Sequence, residues 1–193
     1  MEGADPVNKK LVTALSGGAA LVLALTGCGG GGEDNGKKRD TWAKNLCDQL
    51  QPQVKKTKDA FASTVAVQGE EDSKKVQRTD STAFETISAG YKSLASTVQN
   101  AGVPPVEDGK TIQDNAVKAL NELSTAFADL KKQVDNLNTS DKAKFSDGLR
   151  DLAKRLDGLK GKGDDAINKL QSGELGKAMM KQESCKKGVE SPK

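Results

Sequence analysis

The chain has 193 residues, with 30 Lys and Arg against 27 Asp and Glu, a formal net charge of +3, and no histidine. So balanced a charge excludes the strong, clustered basic field that nucleic-acid binding requires. The lack of histidine removes the commonest general base, the usual serine and cysteine triads, and the commonest protein ligand of zinc or haem.

Residues 1–27 are built as a lipoprotein signal peptide. Lys9 and Lys10 form a positive n-region, and residues 11–24 (LVTALSGGAALVLA) are apolar except for Thr13, Ser16 and two glycines. Leu25-Thr26-Gly27-Cys28 then fits a bacterial lipobox, with Leu25, Thr26 and Gly27 recognised by the signal peptidase. The Cys28 thiolate is nucleophilic enough to take a diacylglyceryl group as a thioether, and the cut falls before it. A transmembrane helix is the rival. It needs about 20 apolar residues, whereas residues 11–26 are fewer, hold two central glycines, and run into further glycines instead of a basic flank.

Cleavage leaves residues 28–193, enough for one domain with its own core. Residues 28–40 comprise the lipidated Cys28 and a stretch (GGGGEDNGKKRD) with five glycines and almost no apolar side chain. They are expected to form a flexible tether with a reach of about 40 Å when stretched. The two acyl chains on one diacylglyceryl group, palmitate for example, anchor far more firmly than one.

Residues 41–187 read as an all-α domain. A first helix over about 41–68 carries Trp42, Leu46, Leu50, Val54, Phe61 and Val65, with Pro52 expected to bend it or end a lead-in turn. A second, over 80–100, places Phe84, Ile87, Tyr91, Leu94 and Val98 at steps of 3, 4, 3 and 4. A third, over 108–137, repeats the pattern through Ala116, Leu120, Leu123, Phe127, Leu130, Val134 and Leu137. A fourth opens at the cap Asn138-Thr139-Ser140 and runs through Phe145, Leu149, Leu152, Leu156 and Leu159. Beyond it, Gly158, Gly161 and Gly163 break the pattern, and a short fifth segment ends near Ser184. Residues 188–193 are expected to be a disordered tail.

The apolar step averages 3.5 residues, which suits helices packed at shallow angles. A dimeric coiled coil is the rival, but loops at 69–79 and 101–108 separate the helices, and the 137–140 connection is too short for anything but antiparallel neighbours. The expectation is therefore a monomeric, antiparallel up-down bundle of four long helices plus a short C-terminal helical segment, with one phenylalanine per helix in its core (Phe61, Phe84, Phe127, Phe145).

With Cys28 lipidated, Cys47 and Cys185 are the remaining thiols. In an oxidising compartment two cysteines pair. In an up-down bundle with an even number of long helices, the start of the first and the end of the last share one end. A disulfide is predicted in preference to a redox pair or metal site, since there is no CxxC and no histidine. No catalytic residue, metal ligand or cofactor-binding residue emerges. Glu70-Glu71 and Asp164-Asp165 read as solvated turn residues, and Asn138-Thr139-Ser140 as a cap before it is a glycosylation sequon. Met179-Met180 is a poor copper(I) site and better core or interface. Trp42 and Tyr91 could stack on a sugar but lie on apolar stripes.

Several motifs carry a resemblance. They are the lipobox, the glycine-rich tether, a W-x4-C-D start (Trp42, Cys47, Asp48), the turn Thr97-Val98-Gln99-Asn100-Ala101-Gly102, and a closing A-M-x-K-Q-x-S-C-K-K (Ala178 to Lys187). Together they resemble the "small secreted protein" lipoproteins of streptomycetes and related actinobacteria across nearly the whole chain. The resemblance implies a place on the outer leaflet of a single membrane, beneath peptidoglycan, and no particular activity. The functional expectation is a non-enzymatic, lipid-anchored helical module with no cofactor beyond the covalent lipid on Cys28. It would bind an envelope protein partner; the alternative is a small-ligand or lipid carrier with a cavity between helices.

Overall fold

Seven helices account for most of the described residues, and no strand is present among them. The computed structural model describes residues 31–159, 161–162 and 164–189. Its helices are α1 (Gly31–Ala66), α2 (Ser73–Asn100), α3 (Gly109–Asp135), α4 (Lys142–Asp157), α5 (Asp164–Leu170), α6 (Gly173–Met180) and α7 (Glu183–Val189). From Gly32 onward the chain is one unit.

Local chemistry sets the boundaries. The Asp72 carboxylate accepts from the backbone N–H groups of Lys74 and Lys75, so α2 begins at Ser73, seven residues before the first expected helical position. Asp141, rather than the Asn138–Ser140 run, caps α4 by accepting from the N–H groups of Ala143 and Lys144. Pro52 lies inside α1 without ending it. It faces solvent, where the backbone carbonyl that its missing N–H leaves free can be hydrated.

Three long helices run side by side, each antiparallel to the one before. At one end of the α2–α3 pair, Gln77 donates to the Val134 carbonyl; at the other, Gln113 donates to the Val98 carbonyl. Midway, Ser88 and Ser124 exchange hydroxyl-to-carbonyl hydrogen bonds at 2.8 and 2.9 Å. The α1–α2 register follows from Trp42 Nε1 donating to Gly102 O at 3.0 Å and from Thr57 abutting Gly90.

The expected fourth helix is α4, 16 residues long, and three shorter helices follow it instead of one short segment. Gly161 and Gly173 adopt positive φ of 79° and 58°, a conformation that interrupts a helix. The pieces cover different heights of the same groove. Leu152 of α4 joins Ala60, Phe84, Ile87, Phe127, Leu130 and Val134 in one buried cluster. Leu170 of α5 and Leu175, Ala178 and Met179 of α6 join Trp42, Leu46, Leu94, Val98 and Leu120 in another. Phe127 centres the first, with Phe61, Phe84 and Tyr91 at ring-centroid distances of 5.4, 5.9 and 5.6 Å.

Two segments depart from expectation at the chain's extremes. Residues 31–40 are the first turns of α1 instead of a coil tether. Arg39 pairs with Glu174 at 3.5 Å and Asp40 with Lys181 at 3.1 Å, which ties this polar stretch to α6 in spite of its glycines. Likewise α7 continues through Val189, so the first residues of the expected tail are helical. Residues 1–30, including Leu25, Thr26, Gly27 and Cys28, lie outside the described residues.

Candidate functional site

Several residues that the sequence singles out meet along the N-terminal half of α1, and there they act as fasteners. Cys47 is fully buried and bonded to Cys185 of α7, with a Cα–Cα separation of 5.1 Å. One residue on, Asp48 accepts a hydrogen bond from Ser184, the neighbour of Cys185. Hydrogen bonds from Lys44 first, and from Ser184 second, hold the Asp48 carboxyl below its ordinary range. Trp42 is buried, and its indole N–H closes the C-terminal end of α2 at Gly102 O, with Gln113 Nε2 donating to the same carbonyl. The W-x4-C-D start, the 97–102 turn and the Ser184-Cys185 pair are thus one structural staple.

The other sequence candidates separate. Tyr91 is stacked on Phe127 inside the core at an interplanar angle of 22°. Met179 is buried and Met180 exposed, so their two sulfurs do not form one site. Asp164 and Asp165 open α5 instead of lying in a loop. Glu70 is held by Lys75 at 2.6 Å, which with the Asp72 N–H keeps its carboxyl below the usual range. Among the described residues, no group of three His, Cys, Asp or Glu is placed to hold a metal, and no helix is long and apolar enough to cross a membrane.

A site that the sequence does not announce lies toward the other end of α1. From Trp42 to Thr64 is 22 residues of helix, roughly 33 Å. There the last turns of α1, the 67–71 turn, the start of α2 and the inner face of α4 enclose an open cleft of about 580 Å³. Its walls are largely apolar: Val67 and Val76, Phe84 and Phe145, Leu149 and Leu152. Val65, 59% exposed, is on the same turn of α1, and with Val103 and Met180 it makes up the large exposed apolar side chains of the described chain.

Asp80 stands in this wall. Its Oδ1 is shielded from solvent and accepts no hydrogen bond. Burial pushes its carboxyl up to about 6. The other charged groups lining the cleft are Glu70 and Glu71 from the turn and Lys142 from α4. A signal was available in the sequence: Asp80 is four residues after Val76 and four before Phe84, so it occupies a position of the apolar stripe of α2. Taking Asp80 as the helix start hid that spacing.

A second, smaller cavity of about 300 Å³ lies between α1, α2, α3 and α5, lined by Leu50, Val54, Tyr91, Leu120 and Ile167 among others. Chemically, the larger cleft offers apolar surface and one unmet hydrogen-bond acceptor, which is the composition of a binding site. No family model matches the chain, and neither a curated protein nor a solved structure matches it.

Proposed function

We propose that this chain is a lipid-anchored, extracytoplasmic, non-enzymatic module of the actinobacterial small-secreted-protein type, an up-down helical bundle that binds a protein partner at the cell envelope. The observation that carries the binding role is the cleft between α1, α2 and α4, with the shielded, unpartnered Asp80 Oδ1 in its wall. An open cleft of this size suits inserted side chains of another protein. The lipobox ending at Cys28 and the Cys47–Cys185 disulfide both support export to an oxidising compartment.

Crosslinking in cells tests this reading. A photo-reactive residue at Val67, on the cleft, is expected to capture one recurrent protein, and the same residue at Glu122, on an exposed part of α3, is not. Capture of only lipid or wall fragments from position 67 overturns it. The second reading, a small-ligand carrier, is favoured by the cavity beside Tyr91 and predicts a ligand that co-purifies in native mass spectrometry.

A further inference from the structure

The partner's chemistry can be taken further, on the footing of the binding role proposed above. We infer that the cleft receives a lysine side chain flanked by apolar residues on the partner, with the ammonium meeting Asp80 Oδ1 and the lysine stem lying along Phe84, Phe145 and Leu149.

The argument begins with what Asp80 lacks. A carboxylate oxygen removed from water costs free energy unless a donor or cation answers it. Among the described residues nothing donates to Oδ1. Asp80 is half-buried in an apolar wall, and burial has pushed its carboxyl up to about 6, so at neutral pH it is mostly ionised and unmet. An occupant that brings a positive charge answers both the hydrogen bond and the charge, whereas a neutral donor answers only the hydrogen bond and an acidic one adds repulsion.

The walls and the count of acceptors then narrow the class. A lysine carries four methylenes ahead of its charge and lays them along apolar surface while the head reaches a polar point. An arginine would bring five donors in a rigid fork to a single shielded oxygen and leave most of them unanswered. Flanking apolar residues fit the rest of a cleft of about 580 Å³. The native lysine of the lining, Lys142, makes no hydrogen bond to Asp80 Oδ1 and so does not already fill this role.

The pH dependence follows from all of the charges facing the cleft. Asp80 gains its charge as pH rises through about 6. Glu70 is already ionised below that range, held by Lys75, and Glu71 and Lys142 complete the charged lining. The preference for a cation is therefore present above pH 6 and lost as pH falls below it.

The test uses the full chain with its lipid, purified in mild detergent, and three capped tripeptides: Leu-Lys-Leu, Leu-Gln-Leu and Leu-Arg-Leu. Binding is followed by the carbon resonance of the Asp80 carboxyl and by backbone amide shifts around the cleft. At pH 7.5 the lysine peptide is expected to bind about 10-fold more tightly than the glutamine peptide, and more tightly than the arginine peptide. The advantage should nearly vanish at pH 4.5 and in Asp80→Asn. Asp80→Leu, which also removes the unmet charge, should keep the fold and lose the same preference. Equal binding of the lysine and glutamine peptides, no binding of either, a stronger arginine peptide, or an undiminished preference in Asp80→Asn would each overturn the inference. Failure of the two readings is distinguishable. A crosslink from position 67 that survives Asp80→Asn defeats only the lysine contact. A lysine preference with no protein captured in cells defeats the protein partner and makes a free amine the occupant.

Discussion

Gly90 of α2 lies directly against Thr57 of α1, so close that a methyl group added at Gly90 would overlap the Thr57 hydroxyl. The contact sets how near the two helices come at mid-length. Thr57 is buried, and its hydroxyl oxygen has no hydrogen-bond partner among the described residues. Gly90→Ala is expected to cost about 1–3 kcal/mol by overpacking. Thr57→Ala should absorb much of that loss, so the double variant should be more stable than the two single changes predict. Urea unfolding of the four proteins in a cycle measures the coupling.

Gln113 performs a different closure. Its side-chain amide donates to the carbonyls of Val98, Gln99 and Gly102, the C-terminal end of α2, from a buried position. Gln77 mirrors it at the C-terminal end of α3, donating to Val134, Asp135 and Leu137, but half-exposed. Gln113→Leu leaves the Val98 carbonyl unanswered, while Gly102 O keeps the Trp42 N–H and Gln99 O a backbone N–H, and should cost about 1–3 kcal/mol. Gln77→Leu should cost less, because water can reach the freed acceptors. Denaturation midpoints of the two variants test the order.

Asp80 makes stability depend on pH in a definite direction. Its folded value of about 6 is above the ordinary 3.8, so the folded state binds the proton more tightly. The cost of ionising it is absent below pH 4, grows between 4 and 6, and is fully present above 6. Asp80→Asn should therefore stabilise the protein at pH 8, on the order of 1–2 kcal/mol after allowing for the solvent screening of a half-exposed group, and by almost nothing at pH 4. Thermal unfolding at the two pH values reads the difference.

The amphipathic periods of the central helices could be read directly from the sequence. In α2, Phe84, Ile87, Leu94 and Val98 are buried as their 3–4 spacing requires, and in α3 so are Ala116, Leu120, Phe127, Leu130 and Val134. Every predicted core phenylalanine packs in the interior or at its edge. The polar ends were harder. The first turns of α2 contain only Val76 as an apolar marker, so the Asp72 cap was overlooked. Residues 31–40 have a coil-like composition, and their helix is supported by ion pairs to residues more than 130 positions away, which no local pattern encodes. The cleft was hidden for a related reason: a single carboxylate on an apolar stripe reads as a surface charge until α4 is placed over it.

Opening the disulfide should be costly. Cys47–Cys185 closes a loop with a sequence separation of 138, and its loss is expected to cost about 2–5 kcal/mol. For a chain of this size that is roughly a 5–15 °C fall in melting temperature. Scans with and without a reductant, alongside a Cys47→Ala/Cys185→Ala variant, should agree. A thiol titration of the native protein should find neither sulfur free.

Cys28→Ala tests the proposed anchor. The precursor is expected to retain residues 1–27, to take up no labelled palmitate, and to run as the longer species on a gel. A variant matured to normal length would refute the lipobox.

The disulfide also determines which parts of the chain feel a mechanical load. Tension applied between residues ahead of Cys47 and residues after Cys185 passes from one to the other through a covalent bond. Residues 48–184 are bypassed, and with them the cleft and nearly all of the helical body. A fold wired in this way keeps the cleft intact while its two ends are pulled apart.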